Sequence, residues 1–360
     1  MGVNLRIGAH FLNYCASVIN ELPPTRIEHP RTAPSIRWGV LAPGNIARGF
    51  AHAVTTDTTS TITAVGSRSL DRATTFLNEF GDVSRGAKAY GSYEELVNDD
   101  NVDAIYVASP HSEHHAHVSL AFAANKPVLV EKAFTRNASE ARDLVRQSRE
   151  KNLLLVEAMW TRFLPHIDIV RQLVASGELG EIETIIADHG QFMTFPPEHR
   201  LQNPALAGGA LLDMGIYPLS LMSMVLGRAS SVTTQATLTP TGVDETLSSI
   251  LRWNSAHGLM TTSQKVKTPT TATISGTHAR IEIPQRFYGP NSVRLIYTDG
   301  TEITAHPEAA AGMAYEAAEF ARLLTAGKLE SDLMPLDESV AIMETMDQMR
   351  AQVGVIYPGE

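Results

Sequence analysis

"IRWGVLAPGNIARGFAHAV", residues 36 to 54, decides how this chain folds. Its first part, through Leu41, is an almost unbroken apolar run around Trp38 and Val40, the pattern of a strand buried on both faces. Pro43 and Gly44 then interrupt it, and from Asn45 the apolar residues recur at helical spacing. Strand, tight turn and helix in that order open a βαβ unit. The rhythm continues downstream. "TITAVGS" and "LDRATTFLNEF" are a second strand and helix, and "SYEELVNDD" is a short acidic helix leading into strand "VDAIYVAS". A helix from about Ser112 to Ala124 precedes strand "KPVLVEK", and one from Ala138 to Glu150 precedes strand "LLLVEAM". Short apolar strands alternating with helices predict an α/β, doubly wound parallel sheet of the Rossmann type.

After about Met159 the texture changes. "EIETIIADHGQF", "SVTTQATLT", "TLSSILRW", "GLMTTSQKV", "TATISGTHARIEI" and "SVRLIYTDG" are strands rich in Thr and Ser, with apolar and polar residues alternating. That alternation predicts an antiparallel sheet with one wet face. Two helices follow, "MAYEAAEFARLLTAG" and "LDESVAIMETMDQMRAQVG", the methionines of the second falling at core-facing spacing. The expected organisation is an arm over residues 1–34, a dinucleotide-type domain over 35–158 and an α+β domain over 159–360.

With 360 residues, 43% hydrophobic and 19% charged, the chain is long enough for two cores and too apolar for extensive disorder. A formal net charge of −10 argues against nucleic-acid or anionic-membrane partners, which need a basic field. No apolar run reads as the ~18 residues of a membrane-spanning helix. The one cysteine, Cys15, excludes an internal disulfide framework and fits a reducing, cytoplasmic setting. Residues 1–34 carry Arg6 and His10 inside their apolar stretch, unlike a signal peptide. They read either as a proline-stiffened arm without fixed order or as the product of a mis-assigned start codon.

The turn "APGNIA", residues 42 to 47, occupies the place of a G-x-G-x-x-[GA] loop, with Ala42 where the first glycine usually stands. Such a loop lets backbone N–H groups and a helix N-terminus approach a pyrophosphate. Alone it would equally serve as a plain strand-to-helix turn; its position after the first strand of a βαβ unit favours the dinucleotide. The second strand ends in Ser67 and Arg68 rather than in the acid that takes a ribose 2′-OH. A hydroxyl and a guanidinium suit a 2′-phosphate, so NADP is expected over NAD. The plain alternative for Arg68 is a solvated surface charge.

In open α/β sheets ligands bind at the carboxyl ends of strands, and two clusters fall there: Ser109-Pro110-His111 and Glu131-Lys132. Lys132 is thereby expected to reach the nicotinamide end of a bound dinucleotide, its pKa lowered by burial so that it can polarise or deprotonate a substrate hydroxyl. A further cluster lies in "GGALLDMGIYPLSLMSMVLG", residues 208 to 227. Asp213 and Tyr217 are four apart and share a face of a helix that starts or kinks near Pro218. Beside a lysine, a tyrosine can exchange a proton with a carbinol oxygen. Without one, Tyr217 reads as a core aromatic satisfied by Asp213.

From about Ser35 to Pro358 the chain resembles the glucose–fructose oxidoreductase/inositol dehydrogenase family, Gfo/Idh/MocA. Within it the likeness is to the dimeric dihydrodiol dehydrogenases and NADP-dependent D-xylose dehydrogenases. "WGVLAPGNIA", "VASPHSEHH", "VLVEKAF", "VEAMWTRFLP", "GGALLDMGIYPL" and "MPLDESVAIMETMDQMR" carry the resemblance. It implies a Rossmann domain followed by a domain with a large, mostly antiparallel sheet that serves as the face of a homodimer or homotetramer. It implies Tyr217 as acid/base, Lys132 as its electrostatic partner and Asp213 as the group that orients them. By the same likeness Ala42, Gly44, Asn45, Ile46, Ser67, Arg68, Ser109, His111, His114, Glu131, Trp160 and Arg162 bind the cofactor, Trp160 and Arg162 lying near nicotinamide and substrate. The substrate implied is a polyhydroxylated small molecule. Three departures stand out. Ala133 replaces the proline of a Glu-Lys-Pro motif, which is expected to loosen the strand end; Tyr217 takes the place of a frequent histidine; and His111 replaces an asparagine, leaving that cofactor contact open.

His111, His114, His115 and His117 crowd one helix start, but no thiolate or carboxylate set completes a metal site there, and no metal is expected. The leading functional expectation is an NADP-dependent oxidoreductase acting on CH–OH groups. A non-catalytic dinucleotide sensor of the same fold, or a hydrolase or isomerase that recycles a bound cofactor, are the alternatives. The segment "FMTFPPEHRLQNPALAGG", residues 192 to 209, reads as a substrate lid or an inter-subunit contact.

Overall fold

The structure, a computed structural model, describes residues 19–81, 86–193 and 195–360. Among them, six strands form a wholly parallel sheet: β1 (Arg37–Leu41), β2 (Thr61–Gly66), β3 (Lys88–Tyr90), β4 (Ala104–Val107), β5 (Val128–Glu131) and β6 (Leu155–Ala158). Their order is β3-β2-β1-β4-β5-β6. Helices α1 (Asn45–Asp57), α2 (Leu70–Glu79), α3 (Tyr93–Val97), α4 (His114–Ala123) and α5 (Ala138–Lys151) alternate with the strands. β4, β5 and β6 are buried at every position, the reason their sequences show apolar runs instead of alternation. From β1 the chain moves outward through β2 and β3, then restarts on the other side at β4. Loops diverge at that reversal and leave a crevice at the strands' carboxyl ends. β3, three residues long, gave no periodic signal.

Eight strands form the second sheet: β7 (Ile182–Gly190), β8 (Ser231–Leu238), β9 (Asp244–Arg252), β10 (His257–Ser263), β11 (Ala272–Gly276), β12 (Ala279–Ile283), β13 (Val293–Tyr297) and β14 (Glu302–Ala305). The order is β14-β13-β12-β11-β7-β10-β9-β8, antiparallel except for the parallel pair β7 and β10. "TATISGTHARIEI", expected as one strand, is instead the hairpin β11–β12. A Cβ on Gly276 would fall 2.2 Å from the Leu179 carbonyl oxygen, so the chain can pass there only without a side chain. Helices α6 (Pro165–Ala175) and α7 (Ile216–Leu226) cover one face of this sheet. On the other face Ile186, Leu259 and Ile250 stand in register across β7, β10 and β9, 54%, 40% and 51% exposed.

The two last helices, α8 (Gly312–Thr325) and α9 (Leu336–Val353), fold back toward the first sheet. α8 packs on α1, with Phe320 4.9 Å from Trp38 between ring centroids, and α9 packs on α5 while also touching β8. Met343, Met346 and Met349 are fully buried, as their spacing predicted. Residues 19–34 lie along α6 and α8. The Arg26 backbone and guanidinium bond Asp168 at 2.7 and 2.6 Å, Gln172 donates to the Pro24 carbonyl, and Arg322 donates to His29 and Thr32. The rest of the 1–34 arm, with Cys15, lies outside the described residues. One apolar stretch, Pro204–Leu226, is after all long and apolar enough to cross a membrane by length and composition. It is 83% buried inside the protein, where the core supplies the apolar surroundings that composition alone would assign to lipid.

Candidate active site

Lys132 leaves the carboxyl end of β5 and reaches the turn before α7. Its ammonium donates to the Asp213 carbonyl oxygen at 2.7 Å and lies 3.3 Å from Asp213 Oδ1. Asp213 sits not on an α-helix but in a π-helical turn, Leu211–Gly215, that runs into α7. The turn is anchored beneath by buried Asp244, whose Oδ2 accepts from the Leu211 N–H at 2.6 Å. Pro218 falls in the first turn of α7, where a missing N–H costs nothing. The same turn presents Tyr217, with the Lys132 ammonium 5.1 Å from its ring centroid. The Trp160 indole N–H donates to the Tyr217 hydroxyl oxygen at 2.9 Å. Trp160 is in turn held by the start of α8: a Cβ on Gly312 would fall 2.1 Å from its ring.

The charges follow from these contacts. Burial works against the Lys132 ammonium, but Asp213, Tyr217 and Glu131 outweigh it and hold its pKa above the usual lysine range. The expected depression of Lys132 is therefore overturned: an anionic neighbour, not desolvation, wins. Burial likewise opposes ionised Asp213, yet Lys132, Arg200 and His111 hold that carboxylate well below its ordinary range. Tyr217 is pushed up to about 12, chiefly by burial, with Lys132 and the Trp160 bond pulling the other way. Near neutrality the cluster is a charged Lys–Asp pair beside a neutral phenol.

On the other side of the crevice, Ala42 holds the left-handed conformation at φ +67° that the missing glycine would adopt freely. Gly44, Asn45 and Ile46 are exposed; a Cβ on Gly44 would meet nothing within 4 Å, and α1 begins with no side-chain cap. The open first-turn N–H groups and the bare approach fit a pyrophosphate. Ser67 is buried at the end of β2, while Arg68 and Arg72 are exposed beside it and both bear on the Tyr93 hydroxyl. Among the described residues, no carboxylate closes that strand end. The residues present fit a dinucleotide with a 2′-phosphate.

The Ser109 hydroxyl and His117 Nδ1 are hydrogen-bonded, 2.9 Å apart. His114 is fully buried, one ring nitrogen against the Ser109 carbonyl at 2.9 Å and the other against those of Ala133 and Phe134 at 3.0 and 3.3 Å. Neutral, it donates its one N–H to a carbonyl at the end of β4 or of β5 and packs between the two, filling the strand end that Ala133 was expected to loosen. His111 is buried against the Ala207 carbonyl at 3.2 Å. Glu131 turns inward and accepts the Tyr106 hydroxyl. Arg162 is not brought to the cluster: its guanidinium is buried, paired with Glu338 and donating to the Ser220 carbonyl. His115 pairs with Asp143 at 2.8 Å, and among the described residues no group of three or more His, Cys, Asp or Glu is placed to hold a metal ion.

Three neighbours escaped sequence reasoning. Arg200 donates to Asp213 Oδ1 at 3.1 Å from the 192–209 segment. His189, at the end of β7, stacks on Tyr288 with centroids 4.4 Å apart, and Tyr288 lies 4.8 Å from Tyr217 and 5.9 Å from Trp160. The four rings wall the cluster with flat apolar faces, a surface suited to the C–H face of a ring. Only the polar Asp188-His189 pair closing an apolar strand signalled any of this.

Residues 36–158 match the oxidoreductase family with an NAD-binding Rossmann fold, and residues 167–282 match the GFO/IDH/MocA C-terminal domain. The chain belongs to the Gfo/Idh/MocA oxidoreductase family. Among its relatives, the D-xylose 1-dehydrogenase (NADP(+)) of Hypocrea jecorina is 38% identical, over 90% of this chain and 93% of the relative. The human trans-1,2-dihydrobenzene-1,2-diol dehydrogenase is 34% identical, over 90% and 98%. Among solved Gfo/Idh/MocA-like structures, a 3-ketoreductase from Actinomadura kijaniata in complex with NADP and TDP-benzene superposes with a TM-score of 0.77 at 25% identity, covering 89% of this chain and 98% of its own.

Proposed function

We propose that this oxidoreductase is an NADP-dependent dehydrogenase acting on a CH–OH group of a cyclic sugar, polyol or vicinal diol. One observation carries the reading: the Lys132 ammonium, Asp213 carboxylate and Tyr217 ring meet at the carboxyl end of the parallel sheet. A sensor has no need of an acid/base set held in contact. The relatives named for NADP, D-xylose and a dihydrobenzene diol support the cofactor and substrate class.

Ala42 to Ile46 would hold the pyrophosphate, Ser67 and Arg68 the 2′-phosphate, with Ser109 and Trp160 toward the nicotinamide end. A dinucleotide held there would supply the acceptor for a hydride from the carbinol carbon. In the oxidising direction Tyr217 would act from its phenolate form, which the Lys132 ammonium and the Trp160 N–H stabilise, and would take up the hydroxyl proton as the carbonyl forms. In reverse, a protonated Tyr217 is already the form that donates to a carbonyl oxygen. Asp213 keeps Lys132 charged and aimed. Residues 35–158 serve the cofactor, and residues 159–360 serve the substrate and a second copy. The open sheet face with Ile186, Leu259 and Ile250 supports a homodimer, which Ile250→Asp with Leu259→Asp should split in sedimentation. The single cysteine supports a cytoplasmic setting.

The test is near-ultraviolet absorbance with NADP+ or NAD+ and a panel of aldoses, inositols and trans-diols. Reduced cofactor should accumulate with NADP+ and be lost in Tyr217→Phe. Binding of NADP+ with no reaction across the panel would move the sensor reading ahead.

A further inference from the structure

Asp213 Oδ1 receives two cations. Lys132 approaches from the end of β5 at 3.3 Å, and Arg200 approaches from the 192–209 segment at 3.1 Å. Lys132 and Asp213 are nearly closed off, with side chains 11% and 13% exposed, while Arg200 is 47% exposed. A lone Lys–Asp pair is electrically neutral from outside. Its lysine would do little for a phenol beside it, because the carboxylate's field opposes the ammonium's. A second cation on the same oxygen changes that balance. We propose that Arg200 is a positioning residue of the catalytic cluster: by sharing Asp213 Oδ1 with Lys132, it leaves the lysine's charge free to act on the Tyr217 hydroxyl.

The charged and titratable groups facing Tyr217 are few. Lys132 and Glu131 come from the end of β5, Tyr106 from β4, Asp213 from the π-helical turn and His189 from β7, with the Trp160 and Tyr288 rings packed alongside. Arg200 adds a second positive charge to this set, from the 192–209 segment. Leu201, its neighbour, is buried, and Gln202 is bonded to Gln264 at 2.9 Å, so the guanidinium is delivered from an anchored base.

The inference rests on Tyr217 as the proton-bearing group, and its test does not need turnover. The protein is prepared with fluorinated, more acidic tyrosines, and the fluorine resonance absent from Tyr217→Phe is followed through a pH titration of the apoprotein. In Arg200→Gln the Tyr217 midpoint should rise by roughly half a pH unit or more, as expected for loss of a nearby cation. In Arg200→Lys, which keeps the charge, it should stay with the parent. An unchanged midpoint in Arg200→Gln overturns the proposal and leaves Arg200 a tie for its segment, visible only in melting temperature. Arg200→Met serves the same reading should Arg200→Gln fail to fold. Failure of the dehydrogenase reading shows separately, as absence of reduced cofactor in the absorbance assay while the titration still reports.

Discussion

The two sides of the crevice are built by different means. The cofactor side, from Ala42 to Ile46 and at Ser67 and Arg68, is made of consecutive strand–turn–helix units and works largely through backbone. The substrate side is made of side chains: Lys132, Trp160, His189, Arg200 and Tyr288 come from five separate segments, and Asp213 and Tyr217 from a sixth. A backbone site is encoded locally, by residues that permit a turn. A side-chain site exists only after the sheets have paired and α7 and α8 have docked.

The broadest expected effect touches both sides at once. His111 is held down to about 3 and His114, His166 and His189 to about 4, each chiefly by burial. Their folded-state pKa lies below the unfolded value of about 6.5, so the stability they confer is complete above that pH. It is lost as pH falls through the window from about 6.5 to about 4, and on to about 3 for His111, at up to about 1.4 kcal/mol per pH unit for each histidine. Melting temperature should be flat above neutrality and fall steeply below about pH 6.5; a flat profile down to about pH 5 would contradict this burial.

Lys132→Met should separate the sides. With the cluster's cation gone, kcat should fall by about 10²- to 10³-fold while the NADP dissociation constant, read by fluorescence quenching, stays put. A parallel loss of binding would mean that the lysine belongs to the cofactor side instead. Arg68→Ala is the converse. It should weaken NADP by about 10- to 100-fold, the worth of one charged hydrogen-bonded contact, and leave NAD nearly untouched. Equal loss for both cofactors would remove Arg68 from the 2′-phosphate.

The smallest effect sharpens the account of the turn. Ala42 bears a side chain at a left-handed position, so Ala42→Gly should raise stability by up to about 1 kcal/mol in urea unfolding. A loss would mean that the methyl packs usefully despite its backbone.

The contrast between the sides also explains what could be read beforehand. β1, the turn and α1 were legible because burial on both faces leaves continuous apolar runs, and Lys132 was legible because a charge at the end of such a run needs a reason. Asp213 and Tyr217 were found as a pair, although their turn is π-helical. Arg200 sat in a segment without periodicity, and Tyr288 in a short loop whose ring neighbours Tyr217, His189 and Trp160 all lie far back along the chain. Arg162 misled for the opposite reason: its place next to Trp160 suggested the crevice, but in the 3-10 turn Trp160–Phe163 the two side chains part, and Glu338 on α9 claims the guanidinium. β3 and β14 were missed because three or four residues carry too little pattern.

Gly312 gives the fold an unexpected point of intolerance. It bears no chemistry and begins a helix whose body rests on the cofactor side, yet the face of the Trp160 indole fills the place its side chain would take. Any substituent there would shoulder the indole away from the Tyr217 oxygen. The reaction's fidelity thus hangs on a hydrogen atom at the start of α8, and the chain's mutational map should show a sharp forbidden spot far, in sequence, from every residue that handles a proton.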